Sequence, residues 1–170
     1  MQKGFVSLEL MLIVLTFALL ATVAVPNAVA LVDRAALDYE QKRLYSELQY
    51  VRTLNRSAQI PETGVKDFIS YQRIPNGKEV MMELDRNANS YRILRDEKPL
   101  RETHYLSNGV TFSEYEGYFP KRIWFDTEGS SKFEPPKNNS VTIVLKSRRG
   151  ETLTIVFDSV GRIRGDNKDE

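Results

Sequence analysis

Glu9 is the residue of this chain whose position most demands chemistry. It is the single charge in an apolar run that extends from Phe5 to Val32. At the centre of a membrane helix an ionised side chain costs roughly 2.5–3.5 kcal/mol on the lenient insertion scale. Glu9 lies near one end of the run, so its cost is lower, but it still calls for a cationic partner. Opposite charges attract far more strongly in a low-dielectric medium than in water. A second set of charges lies near the C-terminus. Arg162 and Arg164 are two apart on an expected strand and so face one side of it. Arg148 and Arg149, in the preceding turn, are close enough in sequence to join them. Such a patch would hold phosphates, nucleic acid included, in a sequence-independent and salt-sensitive way. The alternative is a solvated face, because Asp158, Asp166 and Asp169 lie close by.

Other chemistry finds less support. Asp85-x-Asn87-x-Asn89 has the opening of a calcium loop. Ser90 stands where the sharp-turn glycine belongs, however, and Asp96 rather than glutamate fills the twelfth position. A hairpin turn explains these residues better, and no metal is expected. His104 is the only histidine, there is no cysteine, and there is no G-x-S-x-G motif. Catalysis would rest on carboxylates alone, and no spacing singles out a pair. His104 therefore reads as a surface or interface residue, and neither an enzyme nor a cofactor is expected.

Composition sets the frame. The chain has 170 residues and a net charge of +1, so nothing global implies a nucleic-acid partner. From residue 59 onward 18 basic and 18 acidic side chains balance, so any basic function must be local. Without cysteine there is no disulfide and no thiol chemistry. Residues 10–32 span about 34 Å as a helix at ~1.5 Å per residue, enough for a hydrocarbon core of ~30 Å. Lys3 and the amino terminus before the run, with acidic Asp33 just after it, suggest an N-terminus inside the cell and a body outside.

The elements that must position these residues follow in order. Residues 1–4 are a short basic leader. Residues 5–58 read as one long helix in two halves, 5–32 apolar all round and 33–58 amphipathic. Leu37, Leu44, Leu48 and Val51 form one stripe at helical period, extended by Leu54 and Ala58. Arg34, Asp38, Glu40, Lys42, Arg43, Glu47 and Arg52 fill the remainder. Pro26 removes a backbone hydrogen bond and clashes with the preceding turn, so a kink or local melting is expected there. Residues 59–170 read as a β-rich globular domain. A hairpin is expected over 79–94, and strands near 100–106, 109–114, 120–126, 140–147, 151–158 and 160–164. Lys146 to Gly150 is a turn, and Ser130 to Ser140 a low-complexity loop. The fold class is α+β: a long helix packed on an antiparallel domain of two sheets.

The N-terminal pattern of Gly4-Phe5, then Glu9 flanked by Leu8 and Leu10, resembles the signal of type IV prepilins and type II secretion pseudopilins. The C-terminal run Ile123–Gly129, Val141–Leu145 and Ile155–Arg164, which closes on Gly161-Arg-Ile-Arg164, resembles the end of GspH/FimT-type minor pseudopilins. The resemblance implies a structural subunit, cut after Gly4 by a prepilin peptidase and N-methylated at Phe5. In that family Glu9 would meet the Phe5 amine of a staggered neighbour, and the helix would loosen at Pro26 inside the filament. The implied partners are other pilins or pseudopilins, the peptidase and an inner-membrane platform. The implied location is the inner membrane, single-pass, with the C-terminal domain outside the cytoplasm. In some members the closing arginines bind DNA during uptake, so a DNA-binding minor pilin is one alternative. A membrane-anchored enzyme or sensor is another. The glycosylation sequons Asn55-Arg-Ser57 and Asn138-Asn-Ser140 read as chance matches in such a protein.

Overall fold

A single helix, α1 (Lys3–Ser57), runs through the first third of the chain in the computed structural model, and two antiparallel sheets follow it. The structure describes residues 3–57, 80–126, 129–137 and 140–166, with side chains from Leu8 onward except those of Ser57 and Asp166. Ala58, Glu79, Asn138 and Asp169, named above, lie outside the described residues, as does the Phe5 side chain.

Helix α1 is α-helical through Pro26. The expected melting is therefore absent in the isolated chain. Helix formation is cooperative, and one missing rung does not break a helix whose flanks propagate well. The amphipathic half buries the expected stripe: Leu37, Leu44, Leu48 and Val51 are all at most 2% exposed. The stripe also holds three polar side chains. Glu40 lies three after Leu37 and four before Leu44, so helical geometry puts it on the buried face with Gln41. Asn55 follows Val51 by four. Glu40, assigned above to the polar remainder, is fully buried instead.

The strands are β1 (Val80–Asp85), β2 (Ser90–Arg95), β3 (Lys98–Pro99), β4 (His104–Tyr105), β5 (Thr111–Ser113), β6 (Arg122–Phe125), β7 (Ser131–Glu134), β8 (Val141–Lys146), β9 (Thr152–Phe157) and β10 (Ile163–Asp166). One sheet has the order β3-β2-β1-β6-β7, with β4 sharing the edge of β2; the other is β10-β9-β8-β5. Strands β1, β6 and β7 alternate, with one row of side chains inward. Met82 pairs with Ile93 and Ile123, and Ile143 with Ile155. These side chains are buried in one core with the stripe of α1, and α1 contacts β1 and β6 of one sheet and β8, β9 and β10 of the other.

Three strand expectations change. Of the 100–106 stretch only His104–Tyr105 is strand, and Lys98–Pro99 occupies the other part of the same β2 edge. The loop expected over Ser130–Ser140 opens with β7, whose Ser131 and Phe133 alternate inward. The last strand starts at Ile163 rather than 160, because Asp158 holds a turn: its carboxylate accepts from the Arg162 amide at 2.9 Å and from Arg162 Nε at 2.7 Å.

Two glycines join the sheets. Gly129, after β6, and Gly161, before β10, meet so closely that a Cβ on Gly161 would fall 1.7 Å from the Gly129 carbonyl oxygen. Gly161 also has φ +78°, a left-handed conformation that glycine adopts without strain. Beside them the Ser131 hydroxyl donates to the Asp158 carbonyl.

Candidate assembly surface

The side chains of the apolar half of α1 are almost all left exposed by the rest of the chain. Leu8, Met11, Leu15, Phe17, Leu20, Val23, Leu31 and Val32 are each at least 60% exposed. The most apolar 18-residue window has mean hydropathy 2.5 and none of it is buried. An exposed apolar surface of this length marks a membrane or a partner. Threonines interrupt it harmlessly: Thr16 donates to the Ile13 carbonyl and Thr22 to the Leu19 carbonyl, both at 2.7 Å. Glu9 sits exposed on this stem. Gly4 and Phe5 lie in the first turns of the same helix.

The head is tied to the stem at Pro26. Arg149 Nη2 donates to the Pro26 carbonyl oxygen at 2.8 Å, and Nε lies 3.6 Å from Asp33 Oδ2. The β8–β9 turn thus grips the helix at two points about two turns apart: Pro26, inside the apolar run, and Asp33, the first residue after it. Arg148 lies across Gly109 and donates to Asn108.

The four arginines do not form one patch. Arg148 and Arg149 are at the stem end of β9, whereas Arg162 pairs with Asp158 beyond the other end. Five strand steps, roughly 17 Å, separate the two ends. Arg164 lies between them on β10, opposite Val156, and is exposed. Desolvation pulls the Asp158 carboxyl upward, but the hydrogen bonds from Arg162 and the charge of Arg164 outweigh it and hold the carboxyl below its usual range.

Two further groups escaped the sequence reading. Glu40 Oε1 accepts from the Ser107 amide at 2.9 Å and from the Ser107 hydroxyl at 2.5 Å, and Oε2 lies 2.9 Å from His104 Nε2. His104 is thus an internal partner of α1 more than a surface residue. The Asn55 amide donates to the Val80 and Phe125 carbonyls and accepts from the Val80 amide, at 2.7–2.9 Å. The helical spacing of Glu40 and Asn55 from the leucine stripe was the available signal. The Asp85 carboxylate accepts from the Asn87 and Ala88 amides, and Asn89 accepts from the Phe112 amide. These contacts are those of a capped hairpin turn.

No protein-family model and no curated protein sequence matches the chain. Among solved structures, the crystal structure of the type IV minor pilin FimU of Pseudomonas aeruginosa strain PAO1 is similar, with a TM-score of 0.51 at 16% identity over 79% of this chain and 95% of that chain. The fold is pilin-like. A long N-terminal helix packs its second half on two antiparallel sheets and leaves the first half outside the head. The pilin-like fold gives the exposed stem a physical context: its apolar surface is presented by a folded head and is not a defect of that head.

Proposed function

We propose that the chain is a minor pilin or pseudopilin, a structural subunit of a type IV pilus or a type II secretion pseudopilus. The observation that carries this reading is the bare apolar stem, with Glu9 as its single charge, on a pilin-like head. In this reading a prepilin peptidase cuts between Gly4 and Phe5, and Phe5 is N-methylated. The subunit waits in the inner membrane with its head outside the cytoplasm, and a membrane platform transfers it to the filament. There the stem exchanges lipid for the stems of other pilins. The new Phe5 amine, with an ordinary pKa of about 7.7–8.0, is a cation close in sequence to Glu9. A neighbour staggered along the axis brings its own amine to Glu9, and the pair sets the register. The work is packing, not turnover.

Glu9→Leu tests this arrangement. The change makes the stem more apolar, so insertion proceeds, and cleavage depends on Gly4 and Phe5, so it also proceeds. The neighbour's amine is left without a counter-charge in the bundle, which is costly. The processed variant therefore accumulates in the membrane and is scarce in sheared filaments or crosslinked pseudopilin complexes. Wild-type chain missing from both fractions would refute the subunit reading. Normal incorporation of Glu9→Leu would refute the register role of the carboxylate.

A further inference from the structure

The β8–β9 turn brings Lys146, Arg148 and Arg149 within four positions, all exposed. Its height along the stem is fixed by the contacts of Arg149 with Pro26 and Asp33. A hydrocarbon core of ~30 Å takes up about 20 helical residues. Counted from Phe5 or from Leu8, that core ends at about residues 24 to 28, so Pro26 lies at its outer boundary. The guanidinium that holds the Pro26 carbonyl then lies at headgroup level.

The charges around it are unequal. The turn carries three cations, Lys146, Arg148 and Arg149, against one acid, Glu151; on the helix Asp33 lies beside Arg149 and is followed by Arg34. Lys146 makes no ion pair among the described residues. Arg148 is held over Gly109 by Asn108, a neutral partner, so its charge is uncompensated there. Resting on the membrane-spanning reading of the stem, we infer that this turn is a docking surface for the headgroups of anionic phospholipids. Phosphate oxygens accept from guanidinium forks and from an ammonium in charge-assisted hydrogen bonds. Each such cation near an anionic surface strengthens contact roughly fivefold, and salt screens it. The contact would hold the head down on the bilayer while the subunit is unassembled. A nucleic-acid duplex reaching the same side chains would have to lie within the headgroup layer, so lipid is the occupant the geometry favours.

The full chain, which has no cysteine of its own, is reconstituted in vesicles of phosphatidylcholine alone or mixed with phosphatidylglycerol. A nitroxide is placed at Glu151→Cys beside the turn, at Ser159→Cys at the far end of the head, or at Ile13→Cys in the stem. With phosphatidylglycerol the Glu151 label becomes immobilised and shielded from a water-soluble relaxation agent, and molar salt reverses this. The Ser159 label does not change. Combining Lys146→Gln with Arg148→Gln weakens the shielding roughly 25-fold, from about fivefold per cation. A Glu151 label equally open to water in both lipids, with the Ile13 label in hydrocarbon, overturns the docking surface alone. An Ile13 label in water overturns the membrane reading and the docking surface with it. Release of the Glu151 label by an added DNA duplex assigns the turn to nucleic acid and overturns the lipid assignment.

Discussion

Glu40→Ala is the substitution through which the packing of head on helix is most directly measured. The Glu40 side chain is fully buried, and its two oxygens are used by the Ser107 amide, the Ser107 hydroxyl and His104 Nε2. Truncation leaves these groups without their acceptor and opens a void beneath the 104–107 segment. Each buried polar group left unpaired costs about 1–3 kcal/mol. Ser107 and His104 are partly accessible, so water recovers some of that loss. The net cost is about 3 kcal/mol, roughly the full penalty of one such group. For a chain of this size that lowers the melting temperature by about 6–12 °C. Glu47 is the control. Its partner Arg101 lies 3.3 Å away and is mostly exposed, so Glu47→Ala costs at most about 1 kcal/mol. Glu40→Gln keeps one oxygen for Ser107 and falls between the two. Melts of the detergent-solubilised full chain, followed by the single tryptophan, Trp124, read all three. A Glu40→Ala melt within about 2 °C of wild type, or one equal to that of Glu47→Ala, would refute the reasoning.

Gly161→Ala places a methyl carbon 1.7 Å from the Gly129 carbonyl, whereas Gly150 has a similar φ of +89° but nothing within 4 Å; Gly161→Ala should therefore destabilise by at least about 2 kcal/mol, well beyond Gly150→Ala, in the same melts. Asn55→Ala removes three hydrogen bonds to buried backbone and should cost about 2–4 kcal/mol, and intact mass should find no glycan at this buried sequon. The Tyr91 hydroxyl is buried without a hydrogen-bond partner of acceptable geometry, so Tyr91→Phe should be neutral or stabilising by up to about 1 kcal/mol. Burial pushes the Tyr91 phenol well above its ordinary value, with Arg43 only partly opposing it. The fold thus favours the neutral form, and its contribution is complete below about pH 10 and is lost as the pH rises further. Tyr91→Phe should lose less stability between pH 10 and 12, and an unchanged alkaline slope would contradict this.

The sequence was most legible where one periodicity ruled. Leu37, Leu44, Leu48 and Val51 announced the buried face of α1, and the alternations around Asp85–Asn89 and Lys146–Gly150 announced two hairpins. It was less legible where polarity was read as exposure. Glu40 and Asn55 stand at stripe positions, but their partners, Ser107 and Val80 among them, are 25 or more residues away. Strand β7 was hidden because Ser131-Lys-Phe-Glu134 is short and runs into a proline-rich loop. The arginines were adjacent in the sequence reading but not in space, because β9 carries the chain away from Arg149 before Arg162 is reached. Gly129 and Gly161, noticed as part of a resemblance, turn out to have a steric reason that only the approach of the two sheets displays.

The mass of the N-terminal peptide of the chain, isolated from cells, tests the central claim most directly. The account predicts a mature protein that begins at Phe5 and carries one methyl group on its amine. A protein that begins at Met1, or one cut near Ala24–Ala30 as an ordinary secretory signal would be, would contradict it.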